Sequence, residues 1–492
     1  MRNTRRKRPY QKRWVKFLPL TTVVLVCSLS LWHHSQLEAL HSKTAATTIM
    51  PIKKTDVSAV DASKQRRRRG RRLDSFAGLN HTIAPVTVPL HASSGTHHVQ
   101  MYIGSPPQRQ TLIIDTGSRL MAFPCEPCRS CGSHASKKYF DPVLSTTDNM
   151  PTCGSCMLEG ISKCSEFSTV GNVKGVKNKK CIISQKYTEG SSWTAYELED
   201  LVWMGASDHK ESIGMEYMKM AVPYVFGCQT SEKGLFRKQY ADGILGLAIH
   251  ESSLVQALYD ARSINRLAFS LCLTRTGGSL SAGGIATEER HLEPIRFTPI
   301  ARDHGWFALT VERVLLGSVC LAGCYSKDAS PSSGVDYEDT VLEAFHGGKG
   351  TILDSGTTDT YLPQAIAERF QKVWSRLTVG LHYARRKYKY SYAEYEKLPS
   401  ISFQFANNVT LTVDPESYME SVSTSTTLSR DPWEGTRELV NRIYIDEPTG
   451  AVLGANTMLG HDILFDIQGK QVGLAKADCD SEIYHGVVDT GR

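Results

Sequence analysis

The sequence predicts a mostly-β, bilobal fold built from two pseudo-symmetric β lobes, each giving one carboxylate to a shared cleft. Three observations carry this. The stretch Leu112-Ile113-Ile114-Asp115-Thr116-Gly117-Ser118 returns as Thr351-Ile352-Leu353-Asp354-Ser355-Gly356-Thr357-Thr358. Each copy is followed by an apolar pair and a glycine, Ile244-Leu245-Gly246 and then Val452-Leu453-Gly454. The intervening chain consists mainly of short β-rich runs bounded by Gly and Pro, with helical periods scarce. A repeat of this kind, in 492 residues, is the pattern of a duplicated unit rather than of one ordinary domain.

Taken in order, the chain opens on a basic leader. Residues 1–72 hold 18 Lys+Arg against 3 Asp+Glu, and the other 420 residues hold 39 against 47. The net charge of +7 therefore belongs to the leader, and the mildly acidic remainder argues against a nucleic-acid partner. Basic residues from Arg2 to Lys16 precede the uncharged apolar run Phe17–Trp32, so residues 1–32 read as a signal peptide or signal anchor. Both remain open, and the anchor would leave the N-terminus cytoplasmic and attach the body to the lumenal face of a membrane. Residues 33–83 are polar and read as a disordered pro-segment or stalk. Within them, Arg66–Arg72 followed by Leu73 marks a processing site, at Arg72 or Leu73. Asn80 and Asn408 head the glycosylation sequons Asn80-His81-Thr82 and Asn408-Val409-Thr410.

From Ala84 the texture turns to β. Residues 84–268 form the expected N-terminal lobe, with strands at Ala84–Leu90, Val99–Ile103, Thr111–Ile114, Lys180–Tyr187 and Ala221–Phe226 and a helix at Ser252–Arg262. The apolar run Leu267–Leu273 crosses to the second lobe and reads as the hinge. Residues 269–480 form that lobe, with strands at Phe307–Leu316, Thr351–Asp354, Ile401–Phe405, Val409–Val413, Ala451–Gly454 and Val472–Ala475 and a helix at Pro363–Val379. Residues 481–492 are a polar tail. The Asp489-Thr490-Gly491 in it lacks both a following hydroxyl and an apolar-apolar-Gly companion.

Two carboxylates brought close across a lobe interface cannot both ionise readily, so Asp115 and Asp354 share a proton. The ionised member takes a proton from a water, and the protonated one donates to a substrate carbonyl, which hydrolyses a peptide without metal, cofactor or covalent intermediate. Gly117 and Gly356 permit the turn that brings backbone N–H groups against the carboxylates. Ser118 and Thr357 are placed to bond the outer carboxylate oxygens.

On these motifs, with Ala241-Asp242-Gly243-Ile244-Leu245-Gly246-Leu247 and the closing Leu464-Phe465-Asp466, the chain resembles the pepsin-like aspartic proteases from about Val86 to Cys479. The resemblance implies a flap over the cleft, with Tyr187 as its tyrosine, Glu189 and Gly190 at its tip, and Thr358 among the substrate-binding residues. Where pepsin carries the Trp that bonds this tyrosine, the chain has Ala122, so the usual partner is absent. The Cys-rich segment from Cys125 and Tyr187-Thr188-Glu189-Gly190-Ser191 are similar to the plasmepsin V-like branch, membrane-bound enzymes of the secretory pathway that cut after Leu in Arg-x-Leu motifs. That likeness implies Glu189 as the carboxylate meeting a substrate Arg. It also makes Arg71-Arg72-Leu73 a site for self-cleavage, with a basic-site convertase as the competitor.

Thirteen cysteines, seven of them between Cys125 and Cys181, suit an oxidising compartment. Cys125-x2-Cys128-x2-Cys131 and Cys153-x2-Cys156 also have zinc-like spacing, which the secretory context disfavours. The family likeness implies a Cys272–Cys479 disulfide and a free thiol at Cys228. The expected function is limited proteolysis of secretory-pathway proteins at Arg-x-Leu sites by a monomeric enzyme of the endoplasmic reticulum or Golgi lumen. A secreted or vacuolar protease of broad specificity is the alternative. An inactive pepsin-fold inhibitor or peptide-binding protein is a third reading, disfavoured by two intact Asp motifs.

Overall fold

A computed structural model describes residues 84–167, 178–205, 217–302, 304–324, 336–383, 386–421 and 436–480. The apolar run Phe17–Trp32, the processing site Arg72–Leu73 and the sequon at Asn80 lie outside the described residues.

The repeat read from the sequence is a repeat of strand pairing. The strand Gln108–Asp115 runs parallel to Gly243–Gly246, with Asp115 opposite Gly246. The strand Thr351–Asp354 runs parallel to Ala451–Gly454, with Asp354 opposite Gly454. Each glycine-bearing strand then takes an antiparallel partner, Met121–Pro124 in the first half and Thr360–Pro363 in the second. Those two strands are in turn flanked in parallel by Val222–Lys233 and Ile443–Glu447. Glycine is required at the two crossings because a Cβ on Gly246 would lie 2.4 Å from Leu120 N, and one on Gly454 would lie 2.1 Å from Asp359 O.

Among the described residues the strands form four sheets, of 14, 5, 4 and 3 strands. The largest links the halves. Ala268–Leu273 pairs on one edge with Gly277–Ala282 and on the other with His461–Asp466. Gly277–Ala282 then pairs with Val86–Ser93 of the first half. All six residues of Ala268–Leu273 are buried. The crossing segment is thus an interior strand of the sheet that joins the two halves, bonded on both edges and closed from water on both faces. Arg290 reinforces it, donating to Asp462 Oδ2 from Nε at 2.9 Å and Nη2 at 2.6 Å and to Ser279 Oγ at 2.8 Å.

Phe123, Phe140 and Phe226 interlock behind the first catalytic-motif strand, with ring centroids 4.7–5.9 Å apart. All three are fully buried, and each stabilises by roughly 1.5–3 kcal/mol. The two expected helices are shorter than predicted. Leu254–Asp260 starts after Ser253, whose Oγ accepts from Gln256 N at 3.2 Å. Ala367–Leu377 starts late because Pro363 ends a strand and a 3-10 turn, Gln364–Ile366, intervenes. The helix Asp336–His346 was not anticipated; its acidic residues dilute the apolar stripe that places Val341 and Phe345 in the core. Asn408 is exposed in the tight turn before Val409–Val413, with φ at +60°.

Candidate active site

The two Asp motifs dock on one another's glycines. A Cβ on Gly117 would stand 2.7 Å from the carboxyl of Asp354, and one on Gly356 would stand 2.2 Å from Asp115 Oδ1. Any side chain there would displace the opposite carboxylate. Within each motif the hydrogen bonding is the same. Gly117 N donates to Asp115 Oδ1 at 2.8 Å, and Ser118 Oγ donates to Oδ2 at 2.5 Å. Gly356 N donates to Asp354 Oδ1 at 3.0 Å, and Thr357 Oγ1 donates to Oδ2 at 2.7 Å.

Burial pushes the Asp115 carboxyl well above the usual range, and the charge of Asp354 and a hydrogen bond with it push the same way. Ser118 and Gly117 oppose this by favouring the ionised form, and they do not prevail. A carboxyl that keeps its proton beside a second one gives an acid and a base at adjacent positions, as water-mediated attack on a carbonyl needs.

The middle residue of each motif holds the two halves together, a role the sequence reading did not assign. Thr116 N donates to Ser355 Oγ at 3.1 Å, and Ser355 N donates to Thr116 Oγ1 at 2.9 Å. Each hydroxyl then donates across to the other half, Thr116 to Leu353 O at 2.8 Å and Ser355 to Ile114 O at 2.9 Å. Both residues are buried. The signal was present, since both copies carry Thr or Ser at this position, but a reciprocal bond between copies is visible only once they meet.

Tyr187 begins the turn that ends the hairpin of Asn178–Lys186 and Ser192–Gly205, closed by Tyr187 N donating to Ser191 O at 2.9 Å and Gly190 N to Tyr187 O at 3.0 Å. Its ring packs on Phe236, with centroids 5.1 Å apart. The position of the usual partner is held by Ala122, as expected, and a tryptophan from elsewhere supplies a donor: Trp193 Nε1 donates to Tyr187 Oη at 3.3 Å. Ala122 is fully buried in the same apolar cluster as Trp193, so its small side chain leaves volume that the indole shares. Burial, followed by the Asp115 charge, holds the Tyr187 phenol above its ordinary range, so it stays protonated.

Glu189 is exposed at the hairpin tip and makes no hydrogen bond or ion pair among the described residues. Gly190 takes φ +93°, which the turn requires. Thr358 packs against the Ser94–Gly95 turn, 2.7 Å from where a Cβ on Gly95 would lie. The cleft beside the dyad is lined by Gly117, Ser118, Tyr187, Ile249, His250 and Trp306. Trp306, also unremarked in the sequence, donates from Nε1 to Gly117 O at 2.9 Å and thereby fixes the wall next to Asp115.

Six disulfides occur among the described residues: Cys125–Cys228, Cys128–Cys131, Cys153–Cys164, Cys156–Cys181, Cys272–Cys479 and Cys320–Cys324. The free thiol expected at Cys228 is corrected, because Cys228, opposite Phe123 where Val222–Lys233 runs parallel to Met121–Pro124, is bonded to Cys125 just past the end of the latter strand. The zinc alternative loses its ligands in the same way. Cys156 and Cys181 lie beside buried Glu197, but their sulfurs are bonded to each other. The Glu197 carboxylate instead accepts from the backbone N–H groups of Met157 at 2.8 Å and Leu158 at 3.1 Å.

Two β-rich lobes that each present an Asp-[Thr/Ser]-Gly-[Ser/Thr] turn to a common cleft define the class of two-lobed aspartic proteases. Comparison with known proteins agrees. Residues 97–284 match the family model described as xylanase inhibitor N-terminal. Aspartic protease 5 of Toxoplasma gondii is 31% identical over 305 residues, 56% of this chain and 30% of that protein. Plasmepsin V of Plasmodium falciparum is 32% identical over 186 residues, 37% of this chain and 28% of its own length. Aspartic proteinase 36 of Arabidopsis thaliana is 24% identical over 430 residues, 84% of this chain and 81% of its own. In its fold and its two Asp motifs the chain is similar to the pepsin-like aspartic proteases. The matched region spans less than a third of the two apicomplexan relatives.

Proposed function

We propose that the chain is an aspartic endopeptidase in which Asp115 and Asp354 activate a water and polarise the scissile carbonyl. The observation that carries this reading is the reciprocal docking of each carboxylate on the other motif's glycine. An inhibitor fold needs no such arrangement, and it would have no reason to keep a raised carboxyl pKa at Asp115. The substrates are proteins of the secretory pathway cut within Arg-x-Leu sequences, in the endoplasmic reticulum or Golgi lumen, by a monomeric enzyme attached to the membrane or released from its leader. Support comes from the similarity to aspartic protease 5 and plasmepsin V and from the exposed, unpaired carboxylate of Glu189 at the flap tip. Cleavage after Leu73 by the enzyme itself, and glycosylation at Asn80 and Asn408, belong to the same reading.

The test is cleavage of a peptide containing Arg-x-Leu against the same peptide with its Arg changed to Ala. Loss of one desolvated, charge-assisted contact predicts about a 10- to 100-fold drop in kcat/KM. Equal rates would remove the specialised reading and leave the general protease, to which the longer match with the plant proteinase gives some weight.

A further inference from the structure

We propose that the hairpin of Val86–Ser93 and Thr96–Ile103 is an acid-sensitive latch, in which the buried pair His97 and His98 must stay neutral for the two halves of the active site to stay joined. Such a latch confines activity to near-neutral compartments and shuts it off on acidification. Its consequence rests on the endopeptidase reading, whereas its mechanism is a property of the fold alone.

Three histidines meet on this hairpin. His91 and His98 are directly opposed, with ring centroids 5.9 Å apart, and the Tyr240 ring centroid is 5.4 Å from that of His98. His97 reaches the turn that follows the crossing strand, where its Nε2 stands 2.7 Å from Thr274 O. A carbonyl only accepts, so Nε2 carries the proton and Nδ1 of the neutral ring is bare. His97 and His98 are 5% and 3% exposed, and His97 Nδ1, His98 Nδ1 and His91 Nε2 are buried with no hydrogen-bond partner among the described residues. An imidazolium carries an N–H on both nitrogens. Protonating any of the three rings therefore leaves a buried donor without an acceptor, and protonating His91 and His98 together sets two like charges side by side.

The elements packed around the histidines bring no carboxylate to offset that charge. His98 is opposite Ile113 on the motif strand, and His91 is opposite Gly277. The turn that holds His97 carries a further cation, Arg275, whose Nη2 donates to Met419 O at 3.2 Å. Asp242, two residues past Tyr240, is taken up by Thr111 N at 2.7 Å and by Ser136 N and Oγ at 3.0 and 2.7 Å. Burial, followed by the neighbouring His91 and His97, pushes His98 down to about 4, and burial lowers His97 despite its bond to Thr274. The hairpin also touches both halves of the dyad's frame. Thr96–Ile103 pairs with Gln108–Asp115, which carries the first Asp, and Val86–Ser93 pairs with Gly277–Ala282 beside the crossing strand. The Ser94–Gly95 turn between them abuts Thr358 of the second motif, whose Cγ2 is 2.7 Å from where a Cβ on Gly95 would lie. Folded values below the ordinary 6.5 mean that the unfolded chain binds more protons in between. Stability from this pair is therefore complete above about pH 6.5 and declines as pH falls towards 4.

The experiment uses the full chain and compares the parent with His98→Phe and with the double variant His97→Gln/His98→Phe. Phenylalanine keeps a ring where His98 has no partner to lose, and the glutamine amide can still donate to Thr274 O. Guanidinium unfolding is measured at pH 6.5, 5.5 and 4.5. Each excess proton in the unfolded state costs up to about tenfold in the folding constant per pH unit. The parent should therefore lose about 10- to 100-fold more per unit than the double variant, with His98→Phe between them. The same pH dependence in the parent and the double variant would overturn the proposal. Should a substitution prevent folding, the parent alone decides. The His97 and His98 ring resonances of the folded protein must keep their neutral positions down to about pH 5, and a titration centred near 6.5 refutes the latch. Cleavage of a peptide over the same range gives the functional arm. Acid inactivation should move to lower pH in the double variant, and an unmoved midpoint would overturn the shut-off. The unfolding and resonance measurements need no cleavage, so failure of the latch and failure of the endopeptidase reading are told apart.

Discussion

Replacing Thr116 with Val tests what holds the two halves of the dyad in register. Valine matches threonine in shape but lacks the hydroxyl, which here accepts from Ser355 N at 2.9 Å and donates to Leu353 O at 2.8 Å. Thr116 is fully buried, so water cannot replace those partners. Each buried polar group left unmade costs about 1–3 kcal/mol, so the substitution should destabilise by roughly 2–6 kcal/mol. Ser355→Ala strands Thr116 N and Ile114 O and should cost a similar amount. The four bonds are separate but hold the same two turns, so the double variant should cost less than the sum, with a coupling of about 0.5–3 kcal/mol. Guanidinium unfolding at fixed pH gives the three free energies. Peptide cleavage gives the companion figure, since a displacement of the carboxylates by about 1 Å costs on the order of 100-fold in turnover. A Thr116→Val loss under about 0.5 kcal/mol with unchanged turnover would show that the strand pairing alone sets the dyad geometry.

Asp115→Asn and Asp354→Asn should each lower cleavage by at least about 1,000-fold while leaving the melting temperature of the parent or raising it, because the buried carboxyl of Asp115 is held in an unfavourable environment; activity within tenfold of the parent would remove the dyad. Ala122→Trp should destabilise by about 1–3 kcal/mol through overpacking against Trp193 and Gly227, and calorimetry on that variant reports it. Glu189→Gln should weaken cleavage of an Arg-x-Leu peptide about tenfold and leave the Arg-to-Ala peptide unaffected, read as two kcat/KM values. The last concerns His134, whose ring nitrogens face two acceptors, Gln239 O at 3.2 Å and Glu232 Oε2 at 3.1 Å, so only the imidazolium satisfies both. Burial alone would lower its pKa, but the hydrogen bond and charge of Glu232, with Asp242 behind it, leave it raised above 6.5. The folded value exceeding the unfolded one means this stabilisation is complete below about pH 6.5 and is lost as pH rises through the folded value. Melting temperature followed from pH 5 to pH 9 should fall over that window and flatten in His134→Gln; a parallel fall in both would exclude the imidazolium.

Local chemistry made the strands and the dyad legible in the sequence. Strands such as Thr351–Asp354, Ile401–Phe405, Val409–Val413 and Ala451–Gly454 fall where expected, because a short apolar run between turn residues has few other ways to satisfy its backbone. Asp115 and Asp354 could be paired by eye because the sequence repeats around them. Helix Asp336–His346 is not legible because its apolar stripe is sparse, and the pairing of Ala268–Leu273 on both edges is not written in its own residues.

The amino-acid order by itself therefore determined the duplicated β architecture, the two carboxylates and the hydroxyls beside them, all of which depend on neighbours within a few positions. Only the tertiary structure decided which groups meet across long separations. It joined Thr116 to Ser355, paired Cys125 with Cys228 so that no thiol remains there, and brought Trp193 to Tyr187 in a cluster where Ala122 leaves room. Periodicity and spacing report which face a residue presents. What stands opposite that face depends on how distant strands are stacked, and a substitution such as Ala122 can be compensated from anywhere that reaches the same volume.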